Sequence, residues 1–307
     1  MDAVSRIWRD GRRAERVAYV VGAVLFASGV VNAVVLLASG GTWVGPVSLR
    51  KAVTFGLSFG LTLASVAWAT SYLTLRPRAR AGLLGAFLAA CVAEVLLVTM
   101  QAWRGVPSHF NFETGFDTVV SMSLAAGGGV IVVTALGFTA AAFRSPGTLL
   151  SGKLLSGKPA PSMLVAVRFG LLVLMVALAT GAVMIARGVV EARGGSPELA
   201  YTSAGSLKPL HAVAMHAILV LPGLAWLLRF TALPERARLR VVWLAVAADA
   251  VLTAVIGIEA FAGIPPFAAP WFLLALSASA SLVLAGTVVF SLIRGKSSAG
   301  YFSASNP

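Results

Sequence analysis

Eight times along the chain, apolar residues continue without alternation for roughly 20 residues, about the thickness of a bilayer's hydrocarbon core. The runs lie near 17–39, 52–74, 83–103, 115–143, 163–187, 210–231, 241–263 and 270–293. Unbroken runs differ from the alternating pattern of barrel strands, and in lipid a helix satisfies its own backbone. The expected fold class is therefore an all-α integral membrane protein with eight transmembrane helices. Composition agrees, since 58% of the 307 residues are hydrophobic and only 11% are charged. A water-soluble domain cannot hide that much apolar surface. The first run follows five arginines, as in a signal peptide, but it is too long for a signal core and reads as a membrane helix.

A net charge of +13 would fit a nucleic-acid partner, but the basic residues stand between apolar runs, as orientation signals do. No nucleic acid is expected. With the N terminus inside, the cytoplasmic parts hold Arg6, Arg9, Arg12, Arg13, Arg16, Arg76, Arg78, Arg80, Arg144, Lys153, Lys158, Arg229, Arg236, Arg238, Arg240, Arg294 and Lys296. The outer loops hold Arg50, Lys51, Arg104, Arg187, Arg193 and Lys208, and Arg168 alone falls inside a run. This bias predicts a multi-pass protein of the plasma (inner) membrane with both termini cytoplasmic. The single cysteine, Cys91, excludes an internal disulfide and a cysteine metal cluster. Residues 144–162, rich in Gly, Ser, Pro and Lys, read as a flexible link. Gly127, Gly128 and Gly129 predict close helix approach or a kink in the fourth helix.

A gapless offset of 158 residues aligns the two halves. SLR at 48–50 meets SLK at 206–208, Ala67-Trp68 meets Ala225-Trp226, and QAWRGVP at 101–107 meets EAFAGIP at 259–265. Helices 1 and 5 match poorly, as do 4 and 8. The expectation is two tandem four-helix repeats, residues 1–150 and 151–307. An even helix count gives both repeats the same orientation.

Chemistry-bearing residues concentrate at the expected outer side. Gln101, Arg104, His109, Asn111, Glu113 and Asp117 lie close in sequence, with Arg50, Lys51 and Lys208 at the same level. Such a cluster suits a small anion or a lipid head group; Arg104 and Trp103 are also ordinary interface anchors. His211 and His216 share helix 6, five residues and so about 140° apart, which prevents them from ligating one metal ion as an i,i+4 pair. Each histidine is read either as a ligand or as a structural group on a backbone carbonyl. Within the runs, Glu94, Arg168 and Asp249 should face protein. Arg168 and Asp249 lie at similar depth and predict a structural ion pair. Glu94 shares a face with Gln101 and extends the outer site inward, either as a proton relay or as a neutral acid bonded to a neighbouring helix. Glu259, standing where the first half has Gln101, is a partner for His211 or His216.

The motifs RGVPSHFN at 104–111 and HAVAMHAILVLPGLAW at 211–226 resemble a group of bacterial multi-pass membrane proteins with an RGxxSHFN loop and a two-histidine helix followed by LP. That resemblance covers helices 2–4 and 6 and implies no activity. Eight helices in two repeats are also similar to haem A synthase. That family pairs histidines on two helices of each half, and this chain has none in helices 2, 4 or 8 and lacks the outer acidic-arginine motif. Its function is therefore not carried over. No phosphate loop, CxxCH, HExxH or GxSxG is present, which points away from an enzyme.

Three readings follow. One is a ligand-binding membrane protein that transports or senses a small molecule at an outer-half site built from Glu94, Gln101, Arg104, His109, Asn111, Asp117, His211, His216 and Glu259. The second is a redox protein holding haem or a metal ion through His109, His211 and His216. The third is a non-catalytic scaffold for lipid or a partner protein. The first is preferred.

Overall fold

The computed structural model describes residues 8–9, 11–45, 47–145, 159–195, 199–201, 205–265 and 267–303. The link expected over residues 144–162 falls mostly outside them, as do Arg6, Lys153, Lys158 and Pro266. Regular structure among the described residues is all helical: α1 Arg13–Ala38, α2 Arg50–Ser71, α3 Pro77–Trp103, α4 Gly115–Arg144, α5 Pro161–Arg193, α6 Lys208–Leu228, α7 Glu235–Phe261 and α8 Trp271–Ser303. Eight helices among the described residues are long and apolar enough to cross a membrane. Large apolar side chains such as Leu37, Val133 and Leu282 point outward, as a lipid-facing surface requires.

Helix ends follow local chemistry. Pro77 and Pro209 stand in the first turns of α3 and α6, where a missing N–H leaves no bond unmade. Gly105 and Gly263 close α3 and α7 at φ 68° and 70°, the left-handed region that a residue without Cβ enters freely. The Val106 amide reaches back to the Gln101 carbonyl at 3.1 Å, and Ile264 to Glu259 at 2.9 Å, the bond that satisfies an orphan carbonyl at a helix end. Pro222 sits inside α6 without ending it.

Contacts divide the chain into two compact units. The first is Met1–Ser71, Leu75–Phe138 and Gly181–Gly205; the second is Tyr72–Thr74, Thr139–Thr180 and Ser206–Pro307. In the first unit, α1 and α2 meet backbone to backbone. A Cβ on Gly29 would lie 2.5 Å from the Leu57 amide nitrogen, and one on Gly60 would lie 2.6 Å from the Gly22 carbonyl oxygen. The close approach expected at Gly127–Gly129 is not made by Gly128 or Gly129, which face open space, while Gly127 meets the Glu94 side chain. Helix α4 runs through all three glycines unbroken.

Each unit has a polar clamp near its helix starts. Buried Glu15 of α1 pairs with Arg12 at 2.8 Å and with buried Arg80 of α3 at 3.3 Å; Arg80 also donates to the Thr70 carbonyl at 2.7 Å. In the second unit, Glu235 of α7 accepts from the Ser162 amide of α5 at 2.8 Å, and Arg238 donates to the Thr231 carbonyl at 3.1 Å. Arg80 and Arg238 are 158 residues apart, within L-x-x-R-A-R at 75–80 and 233–238.

The ion pair expected between Arg168 and Asp249 does not form. Arg168 instead donates to the carbonyls of Ala142 at 3.0 Å and Ser145 at 2.8 Å, with its guanidinium 5.6 Å from the Phe143 ring. The last carbonyls of α4 lack helical partners, and a cation at a helix C-terminus suits both their hydrogen bonding and the dipole.

Candidate functional site

The α3–α4 connection, residues 104–114, brings together much of the expected outer cluster. Gln101, in the last turn of α3, is fully buried and donates to Asp117 Oδ1 at 2.8 Å. Arg104 donates to the same oxygen at 2.6 Å and to Gln101 Oε1. The other Asp117 oxygen accepts from Thr114 Oγ1 at 2.7 Å. Asp117 belongs in the first turn of α4, where free amides and the dipole favour an anion, and Thr114 caps that turn through the Asp117 amide at 3.0 Å. Gln101, Arg104, Thr114 and Asp117 thus form a closed network that shuts the loop. Arg104 also lies 4.8 Å over the Phe116 ring.

Inside the loop, buried Asn111 donates to the Pro107 carbonyl at 3.3 Å and accepts from the Glu113 amide at 3.1 Å. This is the side-chain turn that asparagine makes readily. These bonds hold the SHFN segment in place. Phe110 takes φ 59°, and its ring fills the space where a Cβ of Gly188 on α5 would stand, 2.4 Å from the nearest ring atom. His109 is half-buried, its ring centroid 5.7 Å from Phe55 and 5.9 Å from Phe110, with Nδ1 3.0 Å from Ser108 Oγ. Desolvation first, and then the Lys51 ammonium, lower the imidazole's pKa from 6.5 to about 3. At ordinary pH the ring is a neutral hydrogen-bonding group beside a cation. Arg193 stands 5.5 Å over the Phe112 ring, a second cation in the same unit. The arrangement offers positive charge, aromatic faces and a neutral imidazole, which together suit a small anion with an apolar body.

Other predicted residues are placed elsewhere. Glu94 is buried on α3 and, like Gln101, turns towards α4, with Oε1 2.8 Å from a Cβ position at Gly127. In the second unit, His211 Nδ1 lies 2.8 Å from the Ala177 carbonyl, and exposed His216 Nδ1 lies 2.6 Å from the Ala212 carbonyl of its own helix. In each the carbonyl fixes the proton on Nδ1 and leaves a lone pair on Nε2. Glu259 is not their partner: it is buried, and its Oε1 has no hydrogen-bond partner among the described residues. No group of three or more His, Cys, Asp or Glu among the described residues is arranged to hold a metal ion.

Several residues at this site escape motif reading. Phe55 and Gly188 look like ordinary helix residues, and only the fold brings them to the loop. The Arg80 clamp had a sequence signal, because L-x-x-R-A-R recurs at the 158-residue offset. No family model, curated protein or solved structure matches the chain.

Proposed function

We propose that the chain is a plasma-membrane protein that binds a small anionic molecule at the His109 loop of its first unit, for transport or sensing. The observation that carries this reading is His109 itself, an uncharged imidazole held between Phe55 and Phe110 within the field of Lys51. The Gln101–Arg104–Asp117–Thr114 network acts as the frame, because its polar atoms are bonded to one another. The basic-residue bias supports cytoplasmic termini and places the loop on the outer side.

Two tandem repeats of the same orientation are part of this reading. The 158-residue offset carries the bounds of α2, Arg50–Ser71, onto 208–229, against the observed Lys208–Leu228, and carries α3, Pro77–Trp103, onto Glu235–Phe261. The matching glycine caps and the Arg80 and Arg238 clamps support the same duplication.

The test is ligand-induced stabilisation of the purified protein by acetate, benzoate and phosphate, compared with Lys51→Gln and His109→Ala. Stabilisation of the parent by at least one anion, reduced tenfold or more in apparent affinity in both variants, supports the site. Equal response in all three proteins removes it. The competing haem-associated reading draws on His211, whose Nδ1 bond to Ala177 leaves Nε2 available as a ligand; a Soret band lost in His211→Ala would favour it.

A further inference from the structure

Buried side-chain oxygens without a partner concentrate in the second unit; among the described residues the first unit has one, Thr99 Oγ1 on α3. Among the described residues, four buried side-chain oxygens on the second unit's last two helices have no hydrogen-bond partner: Asp249 Oδ2, Thr253 Oγ1 and Glu259 Oε1 on α7, and Ser277 Oγ on α8. Asp249, Glu259 and Thr253 are each nine-tenths or more buried, at 4%, 7% and 9% exposure. Native proteins pair nearly all such groups, with protein or with ordered water. The 158-residue offset places Cys91, Val95, Gln101 and Val119 opposite Asp249, Thr253, Glu259 and Ser277. In the first unit, therefore, one polar side chain occupies these places, and Asp117 and Arg104 satisfy it.

The four groups descend in order from one end of the α7–α8 hairpin. At 1.5 Å per residue, Glu259, Ser277, Thr253 and Asp249 lie about 3, 9, 12 and 18 Å below the helix ends at Phe261 and Trp271. The three α7 groups fall within an arc of about 120° on its buried wall. At 100° per residue, Asp249 is central on the buried wall of α7, with Thr253 about 40° to one side and Glu259 about 80° to the other. The Thr253 side faces α6, because Gly257 meets Leu210 there. The Glu259 side faces α8, because Val255 packs with Ala269 and Leu273 there. Ser277 is one turn beyond Leu273, on the face that α8 turns to α7. Successive groups are separated axially by about 3–6 Å, a rise that one hydrogen-bonded water can bridge. Among the described residues no ion pair involves either carboxyl. Lys208 and His211 are the titratable groups at the same end of α6, and His211 is engaged by the Ala177 carbonyl.

We propose that this ladder is a hydrated proton path from the α7–α8 loop to Asp249 in the middle of the membrane. The site is independent of the anion site, which lies in the other unit. A proton from bulk water enters at the Glu259 carboxyl and passes through water and the Ser277 and Thr253 hydroxyls to the Asp249 carboxyl. Each transfer breaks one O–H bond and forms another, and the return runs the same way. Asp249 is held as the uncharged acid, since an unpaired carboxylate at that depth is costly.

The experiment is infrared spectroscopy of the full chain in lipid nanodiscs after transfer to D2O. The protonated-aspartate carbonyl band is identified by 13C-aspartate labelling, so its assignment does not depend on a variant folding. Asp117 is ion-paired and does not contribute. The band should shift within seconds in the parent protein and at least tenfold more slowly in Glu259→Gln and in Thr253→Val, and it should vanish in Asp249→Asn. A band that stays unshifted for an hour would show a sealed acid and overturn the path. So would equal exchange in the parent and both path variants, or the absence of any protonated-aspartate band.

Discussion

Phe110 takes a backbone conformation that asparagine or glycine would enter more cheaply. A bulky residue at φ 59° costs about 1–3 kcal/mol, and it persists only where its surroundings over-determine it. Its surroundings are the Asn111 turn behind it and the notch at Gly188 in front. Gly188→Ala puts a methyl group 2.4–2.8 Å from three ring atoms, so the ring must leave. Thermal unfolding in detergent should show a loss of about 1–3 kcal/mol, and Phe110→Ala in the same chain should recover part of it. An additive double variant would show that the notch is not what holds the loop. His109 gives this region a pH dependence with a definite sign. Its pKa is lowered to about 3 by burial and then by Lys51, against about 6.5 in the unfolded chain. Well above pH 6.5 both states are neutral and nothing changes. As pH falls from 6.5 towards 3, only the unfolded state takes the proton, so stability is lost by at most about 1.4 kcal/mol per pH unit. The melting temperature should drop between pH 7 and pH 5, and His109→Gln should flatten that drop. Identical slopes would place the titrating group elsewhere.

At the scale of the helix, lipid removes the hydrophobic drive between apolar faces, so association rests on close packing and polar contacts. The first unit uses both. Gly22 and Gly29 of α1 face Gly60 and Gly56 of α2 at backbone distance, and Glu15 with Arg80 ties α1 to α3. A Cβ on Gly56 would sit 2.5 Å from the Gly29 nitrogen. Backbone cannot rotate aside as a side-chain tip can, so Gly56→Ala must force the helices apart and cost at least about 1–3 kcal/mol. Gly129→Ala is the control, with nothing within 4 Å of its Cβ position, and should stay within about 1 kcal/mol of the parent. Similar melting shifts for the two would disprove the packing argument. This contrast also shows what the sequence could not display. Three consecutive glycines stand out in a string of letters, whereas Gly29 and Gly56 count only because two helices place them opposite each other. The eight helices were legible because apolar runs report bilayer thickness, and their true ends were less so for the same reason. Helix α1 starts at Arg13 rather than 17, and α3 at Pro77 rather than 83, because the first turns of both are helical through arginines, Arg13 and Arg16, Arg78 and Arg80, that lie outside the apolar runs. At the site, residue types were legible and pairings were not. Arg104 and Asp117 are separated by a loop whose course decides that they bond to each other, and Arg168 serves a helix end that only the fold reveals.

For the whole molecule, sequence halves and compact units are different divisions. The alignment at 158 residues divides the chain near residue 150, but the first unit includes Gly181–Gly205, and the second includes Thr139–Phe143 within its Thr139–Thr180 segment. The long helix α5 begins in one unit and ends in the other. Residues 1–150 expressed alone would lack Gly188 behind Phe110 and Arg193 over Phe112, so the His109 loop loses one wall. The strained Phe110 backbone then has less to hold it, and the loop should open to solvent. Co-expression with residues 151–307 returns Gly188 and Arg193 without a covalent link. Limited proteolysis between Arg104 and Arg193 separates the outcomes. Cleavage at Arg104 should be fast in the first piece alone and slow, within about threefold of the intact chain, when both pieces are present. A first piece as resistant alone as in the intact chain would mean that the loop is held by α2, α3 and α4 only, and that the end of α5 contributes nothing to the proposed anion site. If the loop does depend on α5, residues 1–150 on their own lack part of the proposed anion site, and the site is completed only by residues 181–193 of α5.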